Sequence, residues 1–201
     1  MKTITVEVYD FAELDEKAKE TARDWYRQNG IDSEDLRCVI DEAEEIGAML
    51  GFTGENPIQW SGFSCQGDGA RWIGAWSAKD VSADALKEHA PKDETLHKIA
   101  DRLDVLTHEY PEISFKLKGT DRHYVHKYTV SFELDTPAGY NSLLCAKIYT
   151  EFQDAAQDFM QWIYDQLEKQ NTWLHSSEYV DETIIANEYG FTKDGHRRTT
   201  L

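Results

Sequence analysis

Apolar and polar residues alternate over TITVEVY, with Ile4, Val6 and Val8 on one side and Thr3, Thr5 and Glu7 on the other. Period two predicts a half-buried strand. The period then changes. Asp10 and Glu13 form a capping box, and Phe11, Leu14, Ala18, Ala22, Trp25 and Tyr26 recur at three- and four-residue steps, predicting one helix that NGIDS ends. A second apolar stripe, Leu36, Val39, Ile40, Ala43, Ile46 and Leu50, predicts a second helix. PIQWSGF and ARWIGAW read as two strands joined by a tight SCQGDG turn, in which Gly67 or Gly69 takes a positive φ. Ser82 can cap a short helix. Leu96, Ile99, Ala100, Leu103 and Leu106 predict a longer one that Pro111 stops.

ISFKLK and YVHKYTVSFEL predict a hairpin around GTDR, with Tyr124, His126, Tyr128, Val130, Phe132 and Leu134 on one face. After TPAGYN, a long amphipathic helix buries Phe152, Ala156, Phe159, Ile163 and Leu167. The tail reads as a helix end, a short strand and a polar finish. No repeat, low-complexity tract or linker interrupts the chain. The expectation is therefore one α+β domain over residues 1–201, an antiparallel sheet built from hairpins with amphipathic helices packed on it.

Charge changes this picture most. The chain carries 38 acidic and 21 basic residues, a net of −17. Residues 1–60 hold 15 acids and 6 bases, and residues 150–190 hold 9 acids and 1 base. Such a field repels nucleic acid and anionic membranes and steers the protein toward basic partners, besides keeping it in solution. No apolar run is long enough to span a bilayer and MKTITVEVYDFAE lacks the apolar core of a signal peptide, so a cytosolic protein is expected. Cys38, Cys65 and Cys145 form no CxxC pair and read as reduced thiols.

Candidate chemistry is sparse. The Gly-rich turn has neither GxxxxGK[ST] nor a GxGxxG leading into a helix, and Asp68 opposes a phosphate there. Asp68 between two glycines is open to a ligand, with Gln66 to orient it. It is equally a residue that turns favour, because its side chain bonds its own backbone. His123 and His126 point to opposite faces of a strand and make no metal pair, and His126 falls on the apolar face. His89, His97 and His108 sit at polar helix positions without matched acids. No nucleophile with its base is legible, and no cofactor or metal is expected.

TITVEVYDFAELDEKAKETARDWYR, WSGFSCQGDGA, RHYVH and NEYGFTKDGHR together resemble a family of phage and prophage proteins, some labelled antitoxin of a toxin–antitoxin system. The most specific piece runs from Ser61 to Ala70, with Ser61, Gly62, Phe63, Gln66, Gly67, Asp68, Gly69 and Ala70 matching. Arg122, Tyr124 and His126 match further on, as do Asn187, Glu188, Tyr189, Phe191, Asp194 and Gly195; His123 stands where similar proteins have an aromatic. The resemblance implies a phage-type origin and a shared scaffold, and no reaction.

Charge and resemblance lead to one expectation: an acidic, non-enzymatic, phage- or prophage-encoded protein that inhibits a host nuclease, CRISPR effector, restriction enzyme or toxin by occupying its basic surface. The candidate surface is Glu34, Asp35, Asp41, Glu42, Glu44 and Glu45, with Asp154, Asp158 and Asp165. The alternative is a small-ligand or metal-dependent enzyme at the Gln66–Gly69 turn, where Arg122, Tyr124, His126 and Glu188 would join Gln66 and Asp68. A self-associating structural protein, such as a homodimer, is a third reading.

Overall fold

A computed structural model describes residues 7–121 and 123–198. In chain order the elements are α1 (Glu16–Asn29), α2 (Arg37–Met49), β1 (Leu50–Thr53), β2 (Ile58–Trp60), β3 (Ala70–Trp72) and β4 (Gly74–Val81). They continue with α3 (Ala83–His89), α4 (Glu94–Glu109), β5 (Ser114–Gly119), β6 (Val130–Asp135), α5 (Ser142–Leu174), α6 (Ser177–Ala186), β7 (Gly190–Phe191) and β8 (Arg197–Arg198). All strand pairings among the described residues are antiparallel, and the fold class is α+β. Contacts divide the chain into two compact units, Met1–Arg37 with Lys169–Leu201, and Cys38–Glu168.

The first unit packs α1 and α6 around Phe11, Leu14, Ala18, Ala22, Tyr26, Val180, Ile184 and Phe191. The Asp10–Glu13 capping box is present, but it closes only a 3-10 turn, Phe11–Glu13. Leu14 then turns extended (ψ 147°), and α1 starts two residues later, capped by Asp15, whose side chain accepts from the Ala18 N–H. One predicted helix is thus two elements, because Asp15 supplies a second N-cap. Most of the predicted TITVEVY strand lies outside the described residues; after it, Tyr9 bridges Phe191. Arg23 holds Asp181 of α6 with two charge-assisted bonds, 2.7 and 2.8 Å. At the β7–β8 turn, Gly195 has φ +84° and a Cβ there would lie 2.0 Å from the Ala18 carbonyl oxygen, so only glycine fits.

The second unit holds a four-stranded sheet, β1-β4-β5-β6, and the β2-β3 hairpin. The predicted stripe of α5 is buried throughout, and its Phe152 ring stacks on Phe115 at 3.8 Å between centroids and lies 4.7 Å from Trp76. Trp76 is fully buried, with its indole N–H on the Leu50 carbonyl, and Trp72 packs near Phe52 and Phe159. Trp72 of β3 and Trp76 of β4 therefore anchor the core.

Three strand expectations are corrected. Leu50 opens β1 instead of ending α2, a strand that the helical stripe concealed. ARWIGAW is not one strand: Gly74, at φ +146°, ends the path from β3, and β4 joins the other sheet. The predicted long strand from Tyr124 begins only at Val130, because β5 and β6 pair from Gly119↔Val130 and leave the described residues between them outside both strands. Alternation persists only where pairing does, with Val130 and Phe132 buried.

Candidate functional site

β2 and β3 pair in strict register, Ile58↔Trp72 to Trp60↔Ala70, and Ser61–Gly69 fills the end of the hairpin. Asp68 organises this turn from within. Its Oδ2 accepts the backbone N–H groups of Ser64 (2.8 Å) and Cys65 (2.7 Å), while its own N–H donates to the Cys65 carbonyl. The Cys65 N–H, then that of Ser64, hold its carboxyl below the usual carboxylate range. Phe63 stacks between Trp60 and Tyr164 of α5, and the Tyr164 hydroxyl donates to the Gly62 carbonyl.

The glycines serve a different purpose from the one expected. Neither Gly67 nor Gly69 has a positive φ. A Cβ on Gly67 would lie 2.6 Å from the Tyr124 ring, and one on Gly69 would lie 2.5 Å from the His126 Cβ. They are glycines because the 124–126 segment lies against the turn.

That segment is held by a residue the sequence reading missed. Arg71, on β3, is 6% exposed. Its Nη1 donates to the carbonyls of Asp121, Tyr124 and Thr129, and its Nε and Nη2 donate to Gln59 Oε1. Gly119 makes room for it, since a Cβ there would meet the guanidinium carbon at 2.8 Å. Burial pulls the Arg71 pKa down, with Asp121 opposing. The signal available in the sequence was an arginine inside an otherwise apolar ARWIGAW.

Turn, loop and α5 enclose a cleft of about 270 Å³ lined by Gln66, Asp68, His126, Lys127, Tyr128 and Tyr164, among others. Of the predicted ligand residues, Gln66, Asp68 and His126 therefore meet in one place. Tyr124 packs on Gly67 beside them, 57% exposed. Arg122 lies outside the described residues. Glu188 belongs to the other compact unit, at the end of α6 with φ 52°. His126 sits in a loop, not on an apolar strand face; its Nδ1 accepts from the Tyr128 N–H, which leaves the proton of the neutral ring on Nε2.

The acidic residues are distributed unevenly. Glu34 and Asp35 lie on the Ser33–Leu36 3-10 turn of the first unit, where the Asp35 side chain accepts the Asp32 N–H. On α2, Asp41, Glu42 and Glu45 are exposed and Glu44 is half-buried. Asp154, Asp158 and Asp165 are exposed on α5; Asp158 pairs with Arg102, and Asp165 accepts from Gln161. His89, expected to lack matched acids, has two. Its Nε2 lies 2.7 Å from Glu42 and its Nδ1 3.9 Å from Glu45, because the α2–α3 juxtaposition supplies partners that spacing within α3 cannot show. The Glu42 hydrogen bond raises the His89 pKa, with both carboxylates adding to it against desolvation. These three residues are the one group among the described residues whose ligand atoms lie close enough for a metal, within 4.8 Å of one another. His108 also has an acid, Asp104, one helical turn away.

A family model described as "Domain of unknown function (DUF8835)" matches residues 36–177, which contain the whole second unit and this cleft. No curated protein and no solved structure matches the chain.

Proposed function

The chain belongs to the DUF8835 family, and we propose that it is an acidic binding protein of phage type that inhibits a host nucleic-acid-processing protein by occupying its basic surface. One observation carries this reading: the second unit holds 23 acidic against 11 basic residues, and six of the proposed surface acids on α2 and α5 are exposed. Charge of this density accelerates encounter with a basic groove and selects against anionic partners. Glu42, Glu45 and Asp158 are also paired with local bases, so part of this charge is answered within the unit. The enzymatic alternative draws support from the meeting of Gln66, Asp68 and His126 in one cleft. It is weakened by the inward clasp of Asp68, whose Oδ2 is committed to two backbone N–H groups.

The test is capture from nuclease-treated bacterial lysate, comparing the native chain with an Asp41→Lys, Glu44→Lys, Asp154→Lys, Asp165→Lys variant. The native chain is expected to retain one stoichiometric basic nuclease, effector or toxin, to inhibit it, and to release it at high salt. The variant is expected to lose both properties. Capture at neither salt, or inhibition unchanged in the variant, overturns the reading.

A further inference from the structure

The cleft beside the Ser61–Gly69 turn is built with more rigidity than a surface loop requires. Asp68 clasps one wall from within, and a nearly buried arginine ties down the carbonyls of the other. Thr129 locks the 126–129 turn further: its N–H and hydroxyl both donate to the His126 carbonyl, and its Oγ1 accepts the His126 N–H. Gly67 and Gly69 then allow the two walls to touch. Pre-organisation of this kind lowers the ordering cost of binding a ligand.

The lining specifies the ligand. A volume of about 270 Å³ lies just under the range of roughly 300–1,000 Å³ that holds drug-sized molecules, which suits a single small ring system. Ring surface comes from Tyr164, His126 and Tyr128, the last 68% exposed. The Gln66 amide, both donor and acceptor, makes no hydrogen bond within the described protein, and Asp68 Oδ1 stands outside the backbone clasp. An amide that can donate or accept, in one lining with a carboxylate acceptor, complements an edge that carries a donor next to an acceptor, as the edges of all the nucleobases do. Aromatic rings on a fixed loop are the usual platform for an unstacked base.

We infer that this cleft binds a nucleobase, with Gln66 and Asp68 reading its edge and Tyr128 covering its face. This goes beyond the inhibitor reading and does not depend on it. The base can arrive as a free nucleoside or as part of a single strand.

The test is saturation-transfer NMR and titration of the full chain with adenosine, cytidine, uridine, ribose and a short single-stranded oligo(A). Base protons of adenosine, cytidine and uridine are expected to receive saturation, with ribose silent. Tyr128→Ala and Gln66→Ala, both at exposed positions, are expected to weaken binding by about tenfold or more with an unchanged melting temperature. Tighter, salt-sensitive binding of the oligonucleotide assigns the base to a strand; equal or weaker binding assigns it to a free nucleoside. No transfer to any base, ribose saturated as strongly as adenosine, or affinity intact in both variants overturns the inference.

Discussion

At the scale of single residues, the two glycines of QGDG are separable by what a Cβ would strike. Gly69→Ala drives a methyl into the His126 Cβ and backbone at 2.5–2.9 Å, atoms that Arg71 and Thr129 hold in place. It is expected to cost about 1–3 kcal/mol in chemical denaturation. Gly67→Ala meets the Tyr124 ring, which is exposed and can swing aside, and is expected to cost clearly less. Asp68 makes a pH prediction. Its depressed carboxyl contributes stability that is present above the ordinary carboxylate pKa and lost as pH falls through the lower folded value. The stability gap between the native chain and Asp68→Ala is therefore expected to be full at neutral pH and to shrink on acidification, read from urea midpoints across that range.

At the scale of elements, α2 and α3 are joined by an imidazole between two carboxylates. A raised His89 pKa stabilises the fold below the ordinary histidine value of 6.5 and loses that contribution as pH rises through the folded value. Thermal midpoints of the native chain are expected to exceed those of His89→Gln below that pH and to converge with them above it. The end of α6 behaves in the opposite sense. Glu188 takes φ 52° just past the helix, where its N–H donates to the Ile185 carbonyl. Glycine is the residue that adopts this conformation without strain, so Glu188→Gly is expected to stabilise by about 0.5–1 kcal/mol. A loss of stability there would show that the Glu188 side chain makes a contribution larger than the backbone strain.

At the scale of the whole molecule, charge dominates. The first unit carries 15 acidic and 10 basic residues and the second 23 and 11, so self-repulsion is concentrated in the second. Raising salt from about 20 to about 200 mM shortens the screening length from roughly 20 to 7 Å and relieves that repulsion. The melting temperature is expected to rise over this interval, and to rise less in the four-lysine variant. In the first unit, α1 already answers its acids locally, with Arg23 and Arg27 both on Glu20. No helix among the described residues is long and apolar enough to cross a membrane.

Much of this was decided by neighbours in the chain. The α+β class, the stripes of α4 and α5, the β2–β3 hairpin and the acid-rich helix follow from periodicity and capping, which act over a few residues. The same local signals failed where two of them competed: Asp10 and Asp15 both offer an N-cap, and Leu50 continues a helical stripe while starting a strand. What only the tertiary structure decided is the site. The alternation that suggested a strand from Tyr124 could not reveal that Arg71, some fifty residues earlier, takes the carbonyls a sheet would have used. Nor could the spacing of QGDG show that its glycines answer Tyr124 and His126 and not a turn angle. Such contacts join residues far apart in the chain, and packing, not periodicity, selects them.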